Sequence, residues 1–380
     1  MKRLSIKPRE NFKDIIESQG FIYNMDGYYT ETAAYQFTEQ EILNIERATI
    51  KLQEMSLEVV QHVIDKNLWD EMKIPKEYAD LIKYSWKEDM CSFYGRMDLG
   101  YNNGQIKLLE YNADTPTSIL EAAVIQWFWL KDYEKLNSNI VYDQFNSIHE
   151  KLIEHMKICK PYFLGDKVLT FACIEDGYED FMNVKYMQDV AEQAGIRNEF
   201  LYLHEIGVSK NEKFVREDGS QLKNIFKLYP YECMFEDEFG KYLEPNKEEC
   251  YWIEPAWKSI ISNKMFCKFL YDLFPKSEYV LPCSYGKPIT ENYVKKPIFS
   301  REGANVEIFV GGNSIAKTEG SYGQEGYIYQ DYFRIPDING NYPIIGSWLI
   351  GGEAAGMGIR ESSTLITDNM SRFCPHFFTK

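Results

Sequence analysis

Arg96, Asp98, Glu110 and Asn112 are the side chains in this sequence whose types and spacing most directly suggest chemistry. They fall in a stretch reading FYGRMDL, YNNG, QIKLLEYN, which is extended sequence, turn residues and extended sequence again, the pattern of a β-hairpin. A three-residue loop Asn102-Asn103-Gly104, with glycine in the left-handed position such loops favour, predicts that Tyr101 faces Gln105, Asp98 faces Leu108 and Arg96 faces Glu110. Strand side chains alternate with period two, so the four polar residues then share one face. Met97, Leu99, Leu109 and Tyr111 take the other. Two carboxylates and an amide oxygen are hard ligands suited to Mg²⁺ bridging phosphates. The same pattern also fits an exposed polar face with an Arg–Glu cross-strand pair, and the hairpin alone does not choose.

The elements around it can be read in outline. Thr38–Ile64 reads as a helix: Thr38 and Glu41 form a capping box, and Ile42, Ile45, Leu52, Met55, Val59 and Val63 make an apolar stripe at helical spacing. After the hairpin comes ADTPTS, whose Thr115, Thr117 and Ser118 suit turn formation or contact with a second substrate. Ser118 and Glu121 form a further capping box before the apolar helix AAVIQWFWL, where Trp127 and Trp129 read as core. From Lys167, VLTFACIE, DFMNVKYMQDVAEQAGI and NEFLYL make a βαβ unit and hence a parallel sheet. Glu175-Asp176-Gly177 follows its first strand, where ligands sit in open α/β sheets. An ammonium could be held there, although a plain Asp-Gly turn explains the same residues and is the favoured reading. Residues 205–225 read as irregular.

Composition bounds the possibilities. A chain of 380 residues should hold two or three packed units, at about 150 residues each. A net charge of −16 argues against nucleic acid, whose binding rests on Lys and Arg neutralising phosphates. It favours a cationic partner such as a polyamine through steering, or serves solubility alone. Eight scattered cysteines with no C-x-x-C read as reduced thiols of a cytoplasmic protein. No signal peptide or membrane-length apolar run is seen. The five histidines (62, 149, 155, 204, 376) fall outside every motif, and no Ser/His/Asp pattern appears.

LEYNADTPTS, SNK, YVKKP, SREGAN, YIYQDYF and GIRE…LIT, in that order, resemble the synthetase domain of the glutathionylspermidine synthase family and its stand-alone relatives, from about Ser92 onward. The resemblance implies an α/β (α+β) ATP-grasp fold: an N-terminal helical segment (1–90), a metal-bearing part of the core (91–150), a pre-ATP-grasp βαβ domain (151–250) and a nucleotide-binding part (251–380). It implies an ATP- and Mg²⁺-dependent ligase acting on a small carboxylate and an amine. By position, Asp98, Glu110 and Asn112 match magnesium ligands, and Arg96 an arginine that reaches the phosphates. Lys264 and Lys296 match the lysines that hold ATP. Lys295 points to the other face. Glu302 and Gly303 match the loop that folds over the phosphates. Gln330, Asp331, Tyr332 and Phe333 match the linker that reads adenine, and Leu365, Ile366 and Thr367 a last nucleotide-contacting strand. Arg360 matches an arginine that stabilises the reacting phosphoryl group. Thr115 and Thr117 fall on peptide-binding serines, and Glu175 and Asp176 on an acidic pair near the substrates. The bifunctional members' amidase domain has no counterpart, so no amidase activity is expected and Cys91 is not its nucleophile. A catalytically silent nucleotide-binding scaffold is the alternative. A glycosidase using two of the carboxylates, which would lie about 5–9.5 Å apart, leaves the lysine motifs without a role.

Overall fold

The computed structural model describes residues 1–380 except 23–26, 137–139, 176, 369–370 and 380. Two five-stranded antiparallel sheets carry the polar motifs. The first runs Arg372–Cys374, Glu353–Ser362, Tyr342–Ile350, Tyr94–Asn102, Gln105–Asn112 in spatial order. The second runs Cys283–Tyr285, Tyr327–Asp331, Tyr293–Pro297, Glu307–Val310, Asn313–Lys317. They meet at the hairpin's second strand: Lys296 donates to the Leu109 carbonyl (2.9 Å) and Gln330 to the Leu108 carbonyl (3.2 Å). The fold is ATP-grasp, as expected.

The hairpin differs from its sequence reading in register. The turn is the two-residue pair Asn103-Gly104, at φ 50° and 83°, so Asn102 rather than Tyr101 faces Gln105. Asn-Gly in two left-handed positions matches the twist of paired strands better than the three-residue loop does. Regular pairing from that turn would place Asp98 opposite Leu109. A bulge between Asp98 and Leu99 intervenes, so that Asp98 faces Glu110 and Arg96 faces Asn112. The expected Asp98–Leu108 and Arg96–Glu110 pairs are therefore replaced, yet the four polar groups still share one face. A bulge re-aims side chains at the cost of one unpaired residue. Here Leu108 takes the buried position (1% exposed) in place of Leu109, which turns into the cavity described below.

Behind the first sheet lies the helix Glu39–Lys66. Thr38 caps it, and both halves of the capping box are present, a motif contributing about 1 kcal/mol. Its apolar stripe is buried, and two polar contacts fix its angle to the sheet: Thr49 to Ser347 (2.7 Å) and Tyr111 to Gln53 (2.7 Å). The N-terminal 90 residues also supply Lys2–Ser5 and Ala33–Thr38, which join His376–Thr379 and Tyr142–Asp143 in a four-stranded sheet.

The βαβ unit is present as Leu169–Cys173, Tyr178–Gln193 and Asn198–Tyr202. All pairings in its four-stranded sheet are parallel, the other two strands being Asn224–Leu228 and Tyr251–Ile253. The stretch expected to be irregular contains a short hairpin, Gly207–Val208 with Phe214–Val215. The second capping box does not form. Ser118 sits at φ 66°, its hydroxyl accepts from Arg96 (3.3 Å), and Glu121 is buried at the start of a π-helical stretch, Glu121–Ile125. Trp129 is core at 2% exposure, while Trp127 is half-buried. Among the described residues no helix is long and apolar enough to cross a membrane.

Candidate active site

Between the two sheets and the parallel sheet lies a cavity of about 380 Å³, large enough for a nucleotide-sized ligand. Arg96, Asp98, Glu110 and Asn112 line it from the hairpin, Arg360 from Glu353–Ser362, two strands away in the same sheet, and Lys296 and Gln330 from the second sheet. Lys264 enters from the junction of two short helices, Lys258–Ile261 and Met265–Leu273. Thr115, Thr117, Glu302, Gly303, Asp331–Phe333 and Leu365–Thr367 complete the wall.

Arg96 is a bidentate partner of Asp98 (Nε–Oδ1 2.7 Å, Nη2–Oδ2 3.1 Å) and also donates to the Thr117 carbonyl (2.8 Å). Asn112 donates its amide to Asp98 Oδ2 (3.2 Å), which leaves its oxygen directed elsewhere. Glu110 Oε1 accepts from Lys264 (3.0 Å). Burial opposes the charge on Glu110, but Lys264 and Lys296 outweigh it and hold the carboxyl below its ordinary pKa. Lys296 is in turn pushed below the ordinary lysine range by burial, against the pull of Glu110. It rests on Gln330 Oε1 (2.7 Å). Asp98, Glu110 and the Asn112 oxygen are a hard donor set, half-exposed to the cavity, and they fit Mg²⁺, which binds through one or two carboxylates and substrate phosphates.

The loop after the second lysine strand is built for close approach. Glu302 and Gly303 both take left-handed backbone (φ 56° and 69°), and a Cβ at residue 303 would strike the Thr367 carbonyl. Arg301, immediately before them, was not singled out by the sequence reading. It bridges Thr115 Oγ1 (2.8 Å) and Glu232 Oε1 (2.6 Å), and its place in SREGAN, directly before Glu302, was the available signal. Arg360 donates Nη2 to the Asp368 carbonyl (2.7 Å), whereas its buried Nε has no partner among the described residues. Opposite the charged end, Val306, Ile308 and Ile366 form a small apolar cluster with Val294, Tyr332 and Leu365 packed against it. All six line the cavity. The amide N–H groups of Asp331 and Tyr332 are engaged by the Pro282 (2.8 Å) and Asn292 (2.9 Å) carbonyls.

The acidic pair is placed differently from the sequence expectation. Glu175 is exposed, lies 3.7 Å from His204 and is not among the residues lining the cavity; Asp176 lies outside the described residues. Glu179 and Asp180, one turn further on in the first turn of the helix Tyr178–Gln193, line it instead. The acidic side chains on the cavity thus lie one helical turn beyond the strand end. Burial, then the Glu179 charge, push the Asp180 carboxyl up to about 7. The same two causes raise Glu121, buried behind them, to about 7. The Thr115–Thr117 loop is pinned beneath by a fully buried ion pair of Asp114 with Lys227, and Asp114 Oδ2 also accepts from the Tyr231 amide (3.0 Å).

A family model described as glutathionylspermidine synthase preATP-grasp matches residues 3–379. The chain belongs to that family. A protein of Haemophilus influenzae named "Putative acid–amine ligase" is 39% identical over the full length of both chains. Trypanothione synthetase of Crithidia fasciculata is 28% identical over 79% of this chain and 49% of its own length. The bifunctional glutathionylspermidine synthetase/amidase of Escherichia coli is 25% identical over 96% of this chain and 62% of its own. This family member thus spans one relative completely and one half to two thirds of the other two. A glutathione synthetase-like effector from Globodera pallida superposes with TM-score 0.58 at 10% identity, over 98% of this chain and 97% of that one, a likeness of fold.

Proposed function

We propose that this family member is an ATP- and Mg²⁺-dependent ligase that joins a carboxylate to an amine through an acyl phosphate. The observation that carries the reading is convergence: Arg96, Lys264, Lys296, Arg301 and Arg360 reach one cavity with the oxygen set of Asp98, Glu110 and Asn112. Phosphoryl transfer asks a protein mainly for positioning and charge neutralisation, and in a water-poor site such fixed cations act strongly. Asp98, Glu110 and Asn112 would hold magnesium, whose charge would offset that of the phosphates. Lys264 and Lys296 hold the triphosphate, Arg96 orients Asp98 and faces the phosphates, and the Glu302-Gly303 loop covers them. Arg360, whose side chain lines the cavity, stabilises the phosphoryl group in transit.

The activated carbonyl then meets the amine. Glu179 and Asp180 are a site for its ammonium form, and a carboxyl near neutrality, such as that of Asp180, suits removal of the ammonium proton. The tetrahedral intermediate collapses with loss of phosphate. The relatives' names and the acidic wall favour a peptide acid such as glutathione and a polyamine-like amine. On this reading residues 91–150 and 251–380 grasp the nucleotide and 151–250 faces the amine. The test is ADP release over a matrix of peptide acids and amines. Release that requires both partners supports the ligase; release with neither, at the same rate, would mark a simple ATPase and end the proposal.

A further inference from the structure

Beside the main cavity, and sharing Arg96, Asp98 and Arg360 with it, lies a second cavity of about 20 Å³. The strand registers show how it arises. Arg96 pairs with Trp348 and Asp98 with Gly346. Across the next ladder Trp348 pairs with Gly356, Gly346 with Gly358 and Ile344 with Arg360. Paired residues share a face of the sheet, so two glycines facing each other lie between the rung of Arg96 and that of Arg360. A Cβ at residue 346 would come within 2.9 Å of Arg96 Cδ, and one at residue 358 within 2.6 Å of the Phe373 ring. Bare backbone at that rung lets the Arg96 stem lie down on the sheet. Arg96, Arg360, Trp348 and Ser118 stand around the space that remains.

This wall holds donors in excess. Trp348 is fully buried, and among the described residues neither its indole N–H nor Arg360 Nε has a partner. The Ser118 hydroxyl accepts from Arg96 (3.3 Å), which leaves its own hydrogen to donate. Asp98 is the carboxylate on the wall. Both its oxygens already accept from Arg96, and Oδ2 from Asn112 as well. Two guanidinium groups against one carboxylate leave the pocket positive. A buried donor left without an acceptor is costly. A water would bring two further hydrogens in need of acceptors, whereas an anion accepts from every side. A space of about 20 Å³ holds one water-sized body. A halide is close to that size; a phosphate or a carboxylate is too large.

We propose that this pocket binds a single halide ion, chloride in ordinary buffers, received by the Trp348 indole N–H, Arg360 Nε–H and the Ser118 hydroxyl. The ion offsets the like charges of Arg96 and Arg360 and fixes their separation before any nucleotide arrives. Nothing in this inference depends on the ligase reading.

Chloride is titrated onto the full chain with the ionic strength held by sodium gluconate, whose anion is too large for the pocket, and the ³⁵Cl NMR line width is read. The wild type is expected to show broadening that saturates. Trp348→Phe keeps a ring to stack on Tyr94 (centroids 6.1 Å apart) but has no N–H, and it should bind about tenfold more weakly, the size of one lost hydrogen bond to a charged group. Ser118→Ala should shift the titration in the same direction. Broadening that never saturates, or an equal titration in the wild type and both variants, would overturn the proposal. A readout that needs no substitution is anomalous diffraction from wild-type crystals grown in sodium bromide: a bromide peak between Trp348, Arg360 and Ser118 is expected. No anomalous signal there, as when a water fills the pocket, overturns the assignment equally.

Discussion

Lys296 is buried, depressed in pKa, and hydrogen-bonded among the described residues only to a neutral amide and a carbonyl, so its charge is available to an incoming phosphate. Lys296→Met is expected to lower ADP formation by at least about a hundredfold, the size typical of losing one preorganised charge donor, with the circular dichroism spectrum unchanged. Unchanged turnover would remove it from the site. Glu121 gives a pH test. Its folded pKa of about 7 stands above the ordinary 4.5, so the fold holds a proton that the unfolded chain releases. Its stabilising contribution is complete below pH 4.5 and is lost as pH rises through about 7. Glu121→Gln should therefore gain on the wild type with pH, by up to about 3 kcal/mol at pH 8. Urea unfolding at pH 5 and pH 8 measures this, and a gap that does not widen would contradict it. Single residues were legible in the sequence where a motif fixed both type and position, as for Asp98 or Lys264. Arg301, Glu179 and Asp180 were not, because their roles depend on where a loop lands and on the phase of a helix.

At the scale of elements, the hairpin shows how a wrong register can still assign the right face. The three-residue turn and the regular ladder were each one residue out, and Asn103-Gly104 together with the bulge cancels both differences. Gly104→Ala forces a Cβ into the left-handed region at φ 83° and is expected to cost about 1 kcal/mol, read as a lower urea midpoint. No midpoint change would mean that the turn relaxes. The buried Asp114–Lys227 pair carries a sharper expectation. Lys227→Met leaves a carboxylate unpaired in the core and should cost about 3–5 kcal/mol, with Asp114→Leu added on top recovering much of it. A mild single variant would show that water reaches the pair. Its partners come from a loop and a central parallel strand far apart in sequence, so no local pattern announces it.

For the whole molecule, the order of motifs along the chain was enough to give the ATP-grasp fold and family. Element boundaries, the sheet joining the two termini, and the strand Asn224–Leu228 inside the parallel sheet emerge only from long-range packing. A net charge of −16 should steer a cationic amine toward the acidic wall. Raising salt from about 0.01 to 0.15 M shortens the Debye length from about 30 to 8 Å, so the KM for the amine is expected to rise while kcat holds. An indifferent KM would assign the charge to solubility. The central claim is that a carboxylate oxygen leaves on phosphate. The most direct measurement supplies the acid substrate labelled with ¹⁸O in its carboxylate, together with ATP and the amine, and reads the label in the products. One labelled oxygen in each phosphate released, matched to amide formed, is the expected result; phosphate carrying no label while amide accumulates would contradict it.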